Sequence, residues 1–194
     1  MRPVFFDVDT QLDFLYPAGA LYVPGAERIV GALARLNQWA AARGFPVVST
    51  TDAHRENDPE FADWPAHCVA GTLGQRKPAS LLLDKRVVIP STACDLNIDG
   101  AAQIILEKQR LDCFSNPNLP ALLERLGADR YVVYGVVTEI CVKFAAWGLL
   151  ATGKPVSIVT DAVRSLTDEA SAAMLAEFAA RGGRLVRVSD VASL

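Results

Sequence analysis

Short, nearly all-apolar runs alternate along this chain with stretches whose apolar positions recur every three or four residues. Val4 to Val8, Pro46 to Thr50, Ala102 to Leu106, Tyr131 to Val137, Pro155 to Thr160 and Arg184 to Val188 read as strands, with Arg86 to Ile89 as a shorter one. Ala26 to Arg43 carries Ile29, Leu33, Leu36 and Trp39-Ala40 at helical spacing, and Gly44 is placed to stop that helix. Asn118 and Pro120 open a helix over Leu119 to Leu126, which Gly127 closes. Glu139 to Thr152 and Asp168 to Arg181 predict two more, ended by Gly153 and by Gly182-Gly183. Roughly from Asp52 to Ala79 no period is visible, and the chain reads as a long irregular segment. Strands apolar on both faces and joined by helices predict an α/β fold, a parallel sheet covered on both sides.

In such a fold ligands bind beyond the carboxyl ends of the strands. The polar residues gather there. Asp9 follows the first strand, Asp52 and His54 the second, Lys108 the one near Ile104, Thr138 to Cys141 the one ending at Val137, and Asp161 the next. Both histidines of the chain lie in one stretch, and Asp52 and His54, as i and i+2, face the same side of an extended segment. With Glu60 and His67 they offer four donors of the kinds that bind zinc, manganese or iron. The alternative is a polar loop with two solvated histidines.

Cys141 falls in the first turn of its helix, where unpaired amides and the positive dipole end favour thiolate and could hold an oxyanion. By position alone it is equally a small buried hydrophobe packing helix on sheet. A thiol nucleophile needs a base, and if both histidines bind metal that base is a carboxylate or a lysine. Asp9 is best placed, whereas Asp13 fits a turn or capping role. Lys108, if next to Asp9 and Cys141, would favour thiolate and hold the carboxylate in place.

Composition acts mainly by exclusion. The 194 residues suit one domain over 1–194, and 51% hydrophobic with 21% charged residues describe an ordinary globular chain. A net charge of −3 without a basic run recommends neither nucleic acid nor an anionic membrane as partner. The opening reaches Asp7 after a few apolar residues, too few for a signal-peptide core, and Cys68, Cys94, Cys113 and Cys141 show no Cys-x-x-Cys pairing. Reduced thiols and a cytoplasmic location are expected.

Several motifs together carry a resemblance: Asp9-x-Gln11-x-Asp13-Phe14, Asp52-x-His54, Trp64-Pro65-x-His67-Cys68-Val69-x-Gly71-Thr72-x-Gly74, Lys108, and Gly135-x-x-Thr138-x-x-Cys141-Val142. The chain resembles the isochorismatase-like cysteine hydrolases, and within them it is most similar to nicotinamidases. The resemblance implies a three-layer α/β/α sandwich with a six-stranded, mainly parallel sheet. It implies a triad of Asp9, Lys108 and Cys141, and a non-proline cis peptide near Val137-Thr138 that turns the Val137 and Cys141 amides toward an oxyanion. It also implies one divalent ion, zinc first and manganese or iron next, on Asp52, His54 and His67, with Glu60 where many relatives have histidine. Phe14 and Trp64 match the aromatic residues that sandwich a pyridine ring, with Gln11 and Thr138 as further substrate-binding positions. The activity implied is hydrolysis of nicotinamide to nicotinate and ammonia through a cysteine thioester, in a homo-oligomer; another small amide or a carbamoyl compound is the alternative substrate.

Two departures stand out. Glu139 replaces the usual aspartate, and the short stretch Gln109 to Asn116 resembles metal-free relatives as much as nicotinamidases, which bears on substrate identity and leaves the chemistry alone. Rival readings are weaker in their motifs. The start Asp7-x-Asp9 also resembles haloacid-dehalogenase-like phosphatases, but Gln11 stands where they have threonine. A non-catalytic binding module has no need of Asp9, Lys108 and Cys141 together.

Overall fold

The structure, a computed structural model, describes residues 2–193. Seven parallel strands form one sheet: β1 (Pro3–Val8), β2 (Val47–Asp52), β3 (Arg86–Ile89), β4 (Gln103–Lys108), β5 (Arg130–Val136), β6 (Val156–Arg164) and β7 (Arg184–Val186), in the order β3-β4-β2-β1-β5-β6-β7. That is one strand more than the six the resemblance implied. Short Arg86–Ile89 pairs with β4 along its whole length and closes one edge.

The central strands are buried on both faces, which is why they read as unbroken apolar runs. Alternation along β1 sends Phe6 and Val8 into one core and Phe5 into the other. The first core takes the buried faces of α3 (Leu119–Leu126), α4 (Lys143–Ala151) and α5 (Asp168–Ala180), through Leu122, Leu149 and Phe178. The second takes α1 (Leu12–Leu15) and α2 (Val30–Ala42), through Leu15, Leu33 and Leu36. Residues 26–43 are therefore not one uniform helix, because a tighter turn at Ala26–Ile29 leads into α2. Trp147 is half-buried against Phe178, with the Arg181 guanidinium over its ring, while neighbouring Phe144 is 42% exposed. Among the described residues no helix is long and apolar enough to cross a membrane.

Chain order puts β1 at the centre, runs outward through β2 to the β4 side, then returns to β5 on β1's other flank. The four adjacent strands β4, β2, β1 and β5 thus end side by side, and each ends at a residue with chemistry to offer. Gly135 lets β5 approach β1 there: its φ of +119° suits glycine, and a Cβ would collide with the Val8 carbonyl.

Candidate active site

Lys108 is the last residue of β4 and pairs in register with Asp52, the last of β2. Both point to the α3–α4 side of the sheet, as Leu106 and Val48 two and four residues earlier do. Asp9 would by the same alternation follow Phe5 to the opposite side. Its backbone prevents that. With φ at +49° the chain turns over after β1, and the carboxylate swings toward Lys108. The turn is held by Asp9 N–H on the Thr50 carbonyl and hydroxyl, at 3.2 and 3.1 Å, and by Gln11 N–H on the Asp9 carbonyl at 2.8 Å.

Three groups converge as a result. The Lys108 ammonium lies 2.9 Å from Asp9 Oδ2 and 3.8 Å from Cys141 Sγ, and it also ion-pairs with Asp52 Oδ1. The Thr50 hydroxyl donates to Asp9 Oδ1 at 2.6 Å, leaving Oδ2 toward the amine and the sulfur. Lys108 is 1% exposed and stays charged, because the two carboxylates and the thiol outweigh burial and push its pKa well up.

Cys141 sits in a π-type turn, Thr138–Val142, that precedes α4 and is cupped on the Val137 carbonyl, which accepts from Ile140 and Val142 at 3.1 Å. The cis peptide is Val136–Val137, one residue before the position the resemblance suggested. A second expectation is overturned in sign. Burial pushes the Cys141 thiol well above its ordinary range, with Asp9 and Asp52 adding to the rise against the opposing pull of the Lys108 ammonium. The resting group is a neutral thiol, so a base has to take its proton when substrate arrives.

Ligand atoms of Asp52, His54 and His67 lie within 4.8 Å of one another, all three buried. Their chemistry fits a borderline divalent cation, one carboxylate and two imidazoles. His54 Nε2 is buried with no hydrogen-bond partner, an arrangement that costs free energy unless something binds there. Glu60 is outside that tight group, but its Oε1 is 3.8 Å from His54 Nε2. Burial lowers the His67 pKa and so favours the neutral, ligating form. Asp52 is pushed up to about 6 by burial, against the pull of Lys108.

A pocket opens between these groups, lined by Asp9, Cys141, Asp52, Glu60 and His67 and otherwise by apolar side chains, among them Phe14, Trp64, Leu111 and Ile140. Phe14 and Trp64 both form part of its wall, and Leu111 comes from the short 109–116 stretch. Gln11 and Thr138 do not line it. The Gln11 carboxamide grips both backbone groups of Asp52, donating to its carbonyl at 2.9 Å and accepting its N–H at 2.7 Å, so it fixes the end of β2. Thr138 is fully buried with an unpartnered hydroxyl.

Sequence reasoning missed three contributors, Thr50, Phe61 and Asp58, and read a fourth, Asp13, only as a local turn residue. Thr50 orients Asp9. Phe61 packs on both imidazoles, with centroids 5.3 and 5.7 Å away. Asp58 lies 3.1 Å from His54 Nδ1. Asp13, read as a turn residue, joins the 20–21 loop to the metal loop by accepting from Ala20 and Cys68, and a Cβ at Gly74 would strike its carboxylate. Only the exposed turn chemistry of Asp13 left a trace in the sequence.

The Isochorismatase domain family matches residues 3–190. A nicotinamidase of Escherichia coli is 28% identical over 205 residues, spanning 94% of this chain and 93% of that one. A maleamate amidohydrolase of Pseudomonas putida is 27% identical, spanning 97% and 84%. Among solved structures, the pyrazinamidase of Pyrococcus horikoshii in complex with zinc superposes with a TM-score of 0.79 at 29% identity, covering 96% of this chain and 99% of that one.

Proposed function

The chain belongs to the isochorismatase family of hydrolases, and from that premise we propose that it is a cysteine amidohydrolase cleaving a neutral aromatic carboxamide of the nicotinamide type. One observation carries the reading: Asp9 and Cys141 share the wall of one largely apolar pocket with Asp52 and His67, while Lys108 lies behind the first two and His54 completes the group of possible metal donors.

Asp9 accepts the Cys141 proton as sulfur attacks the carboxamide carbon, which a neutral resting thiol requires. The Val137 and Cys141 amides receive the oxyanion; losing one such donor costs about 3 kcal/mol of barrier. Asp9 then passes the proton to the departing ammonia, and water activated by the same carboxylate hydrolyses the thioester. Lys108 holds Asp9 and balances its charge throughout. Phe14 and Trp64 clamp the ring, and Gln11 acts indirectly by fixing Asp52. Asp52, His54 and His67, with Glu60 near, would hold a divalent ion, which would offer a Lewis-acid docking point to a ring-nitrogen lone pair. The zinc in the pyrazinamidase relative makes zinc the first candidate.

The runner-up substrate is an anionic amide such as maleamate, which a relative's name records. Charge argues against it. Among the described residues no lysine or arginine lines the pocket, and Lys108 is committed to Asp9 and Asp52. An ion held by Asp52 and Glu60 would have its charge matched by those two carboxylates. An unpaired substrate carboxylate would pay several kcal/mol in desolvation, at least about 10²-fold in turnover efficiency. The test is ammonia release from nicotinamide, pyrazinamide and maleamate with metal analysis of the same sample. The proposal expects the two neutral ring amides to exceed maleamate by that factor; equal or faster turnover of maleamate would overturn it. The same reading places the enzyme in the cytoplasm as a homo-oligomer, with neither nucleic acid nor membrane as partner.

A further inference from the structure

Two imidazoles face the candidate ion, and each must present a bare nitrogen to it. A neutral imidazole carries one N–H, and whatever accepts that hydrogen decides which nitrogen is left to bind. For His67 the acceptor is a backbone carbonyl: Nδ1 is 2.7 Å from the Pro65 oxygen, which can only accept, so the proton sits on Nδ1. Among the described residues His54 has no such carbonyl partner. Its Nδ1 faces Asp58 Oδ2 at 3.1 Å, close in distance though bent in angle, with the His54 side chain fully buried and that of Asp58 8% exposed.

Asp58 has a second attachment. Its Oδ1 accepts the Glu60 N–H at 3.0 Å and caps the short turn Pro59–Ala62 that carries Glu60. One carboxylate therefore lies against the outer nitrogen of one ligand and bonds the backbone of a residue close to the other nitrogen, since Glu60 Oε1 is 3.8 Å from His54 Nε2. We infer that Asp58 is a positioning residue for the metal site: it holds the proton of His54 on Nδ1, frees Nε2 for the ion, and sets the reach of Glu60. The inference rests on the metal site of the proposed function and concerns no step of amide cleavage.

Asp58→Asn isolates the contact, because the amide oxygen can still cap Glu60 while an NH2 group replaces the oxygen facing Nδ1. Two readouts apply to the full chain without substrate. Histidine ¹⁵N spectra of the chelated protein report the tautomer, and competition against a chromophoric chelator reports zinc affinity. The wild type is expected to show His54 protonated at Nδ1, and Asp58→Asn to move that proton to Nε2 and bind zinc about 10–100-fold more weakly. Wild-type His54 protonated at Nε2, or zinc affinity unchanged in Asp58→Asn, would overturn the inference. Should the variant not fold, the wild-type spectrum decides alone. Because neither readout involves an amide, the role of Asp58 can fail while amidase activity stands, and the reverse.

Discussion

The sheet carries a buried lysine–aspartate pair on each face, and the two live by different rules. On the α2 side, Lys77 lies 3.5 Å from Asp7 and donates to Thr10 at 2.9 Å. Asp7 also accepts from the Thr10 and Ser49 hydroxyls, Gln103 bonds Ser49 and the Leu81 carbonyl, and Asn37 links Leu81 to the Tyr134 hydroxyl. Within this network no buried side-chain nitrogen or oxygen is without a hydrogen-bond partner among the described residues. On the α3–α4 side, Lys108 joins Asp9 and Asp52 next to atoms with no hydrogen-bond partner, His54 Nε2 and Thr138 Oγ1, and beside open space. A closed polar network fixes a fold, here tying the 77–81 segment to the sheet under the Asp9 turn. An incomplete one beside a cavity awaits a ligand. Both lysines are buried and ion-paired, and what separates the two sites is completeness.

Matched substitutions put that difference at risk. Lys108→Met should cut amide turnover by at least about 10³-fold, since it removes the group that holds the base and stands by the sulfur, and turnover kinetics of the folded variant would show it. Lys77→Met should leave turnover per folded molecule within a few-fold but strand Asp7 uncompensated, costing roughly 3–5 kcal/mol; thermal unfolding would record a drop of about 6–20 °C. Loss of activity without loss of stability in Lys77→Met would erase the distinction. The smallest effect belongs to Thr50→Val. Deleting one hydrogen bond to a charged group, worth about 1.5–3 kcal/mol, should lower kcat by roughly 10–100-fold with KM nearly unchanged, and Thr50→Ser should recover most of it.

The frame of the fold was readable in the sequence because parallel strands covered on both faces leave unbroken apolar runs, as at β1 and β5, and because Gly127 marks the end of α3 in its own left-handed conformation. The clustering of Asp9, Asp52, Lys108 and Cys141 at one sheet edge was readable for the same reason: strand ends are visible. What stayed hidden depends on contacts between distant segments. The backbone turn at Asp9 reverses the side its carboxylate takes, and aspartate's general tolerance of the left-handed region does not single out this position from the other aspartates. Asp58 and Thr50 look like ordinary loop and strand residues until His54 and Asp9 arrive beside them. Gln11, placed among substrate contacts by its motif, is spent on the Asp52 backbone. Helix position and Lys108 favour thiolate at Cys141, but burial, which the sequence does not display, shifts the thiol the other way.

The most direct trial is ammonia release from nicotinamide by Cys141→Ala beside the wild type, with zinc content and melting temperature measured on both. Release at the uncatalysed background, with metal and stability preserved, is the expected result. Substantial release by the alanine variant would mean that the sulfur beside Lys108 is a core atom and that the chemistry lies elsewhere.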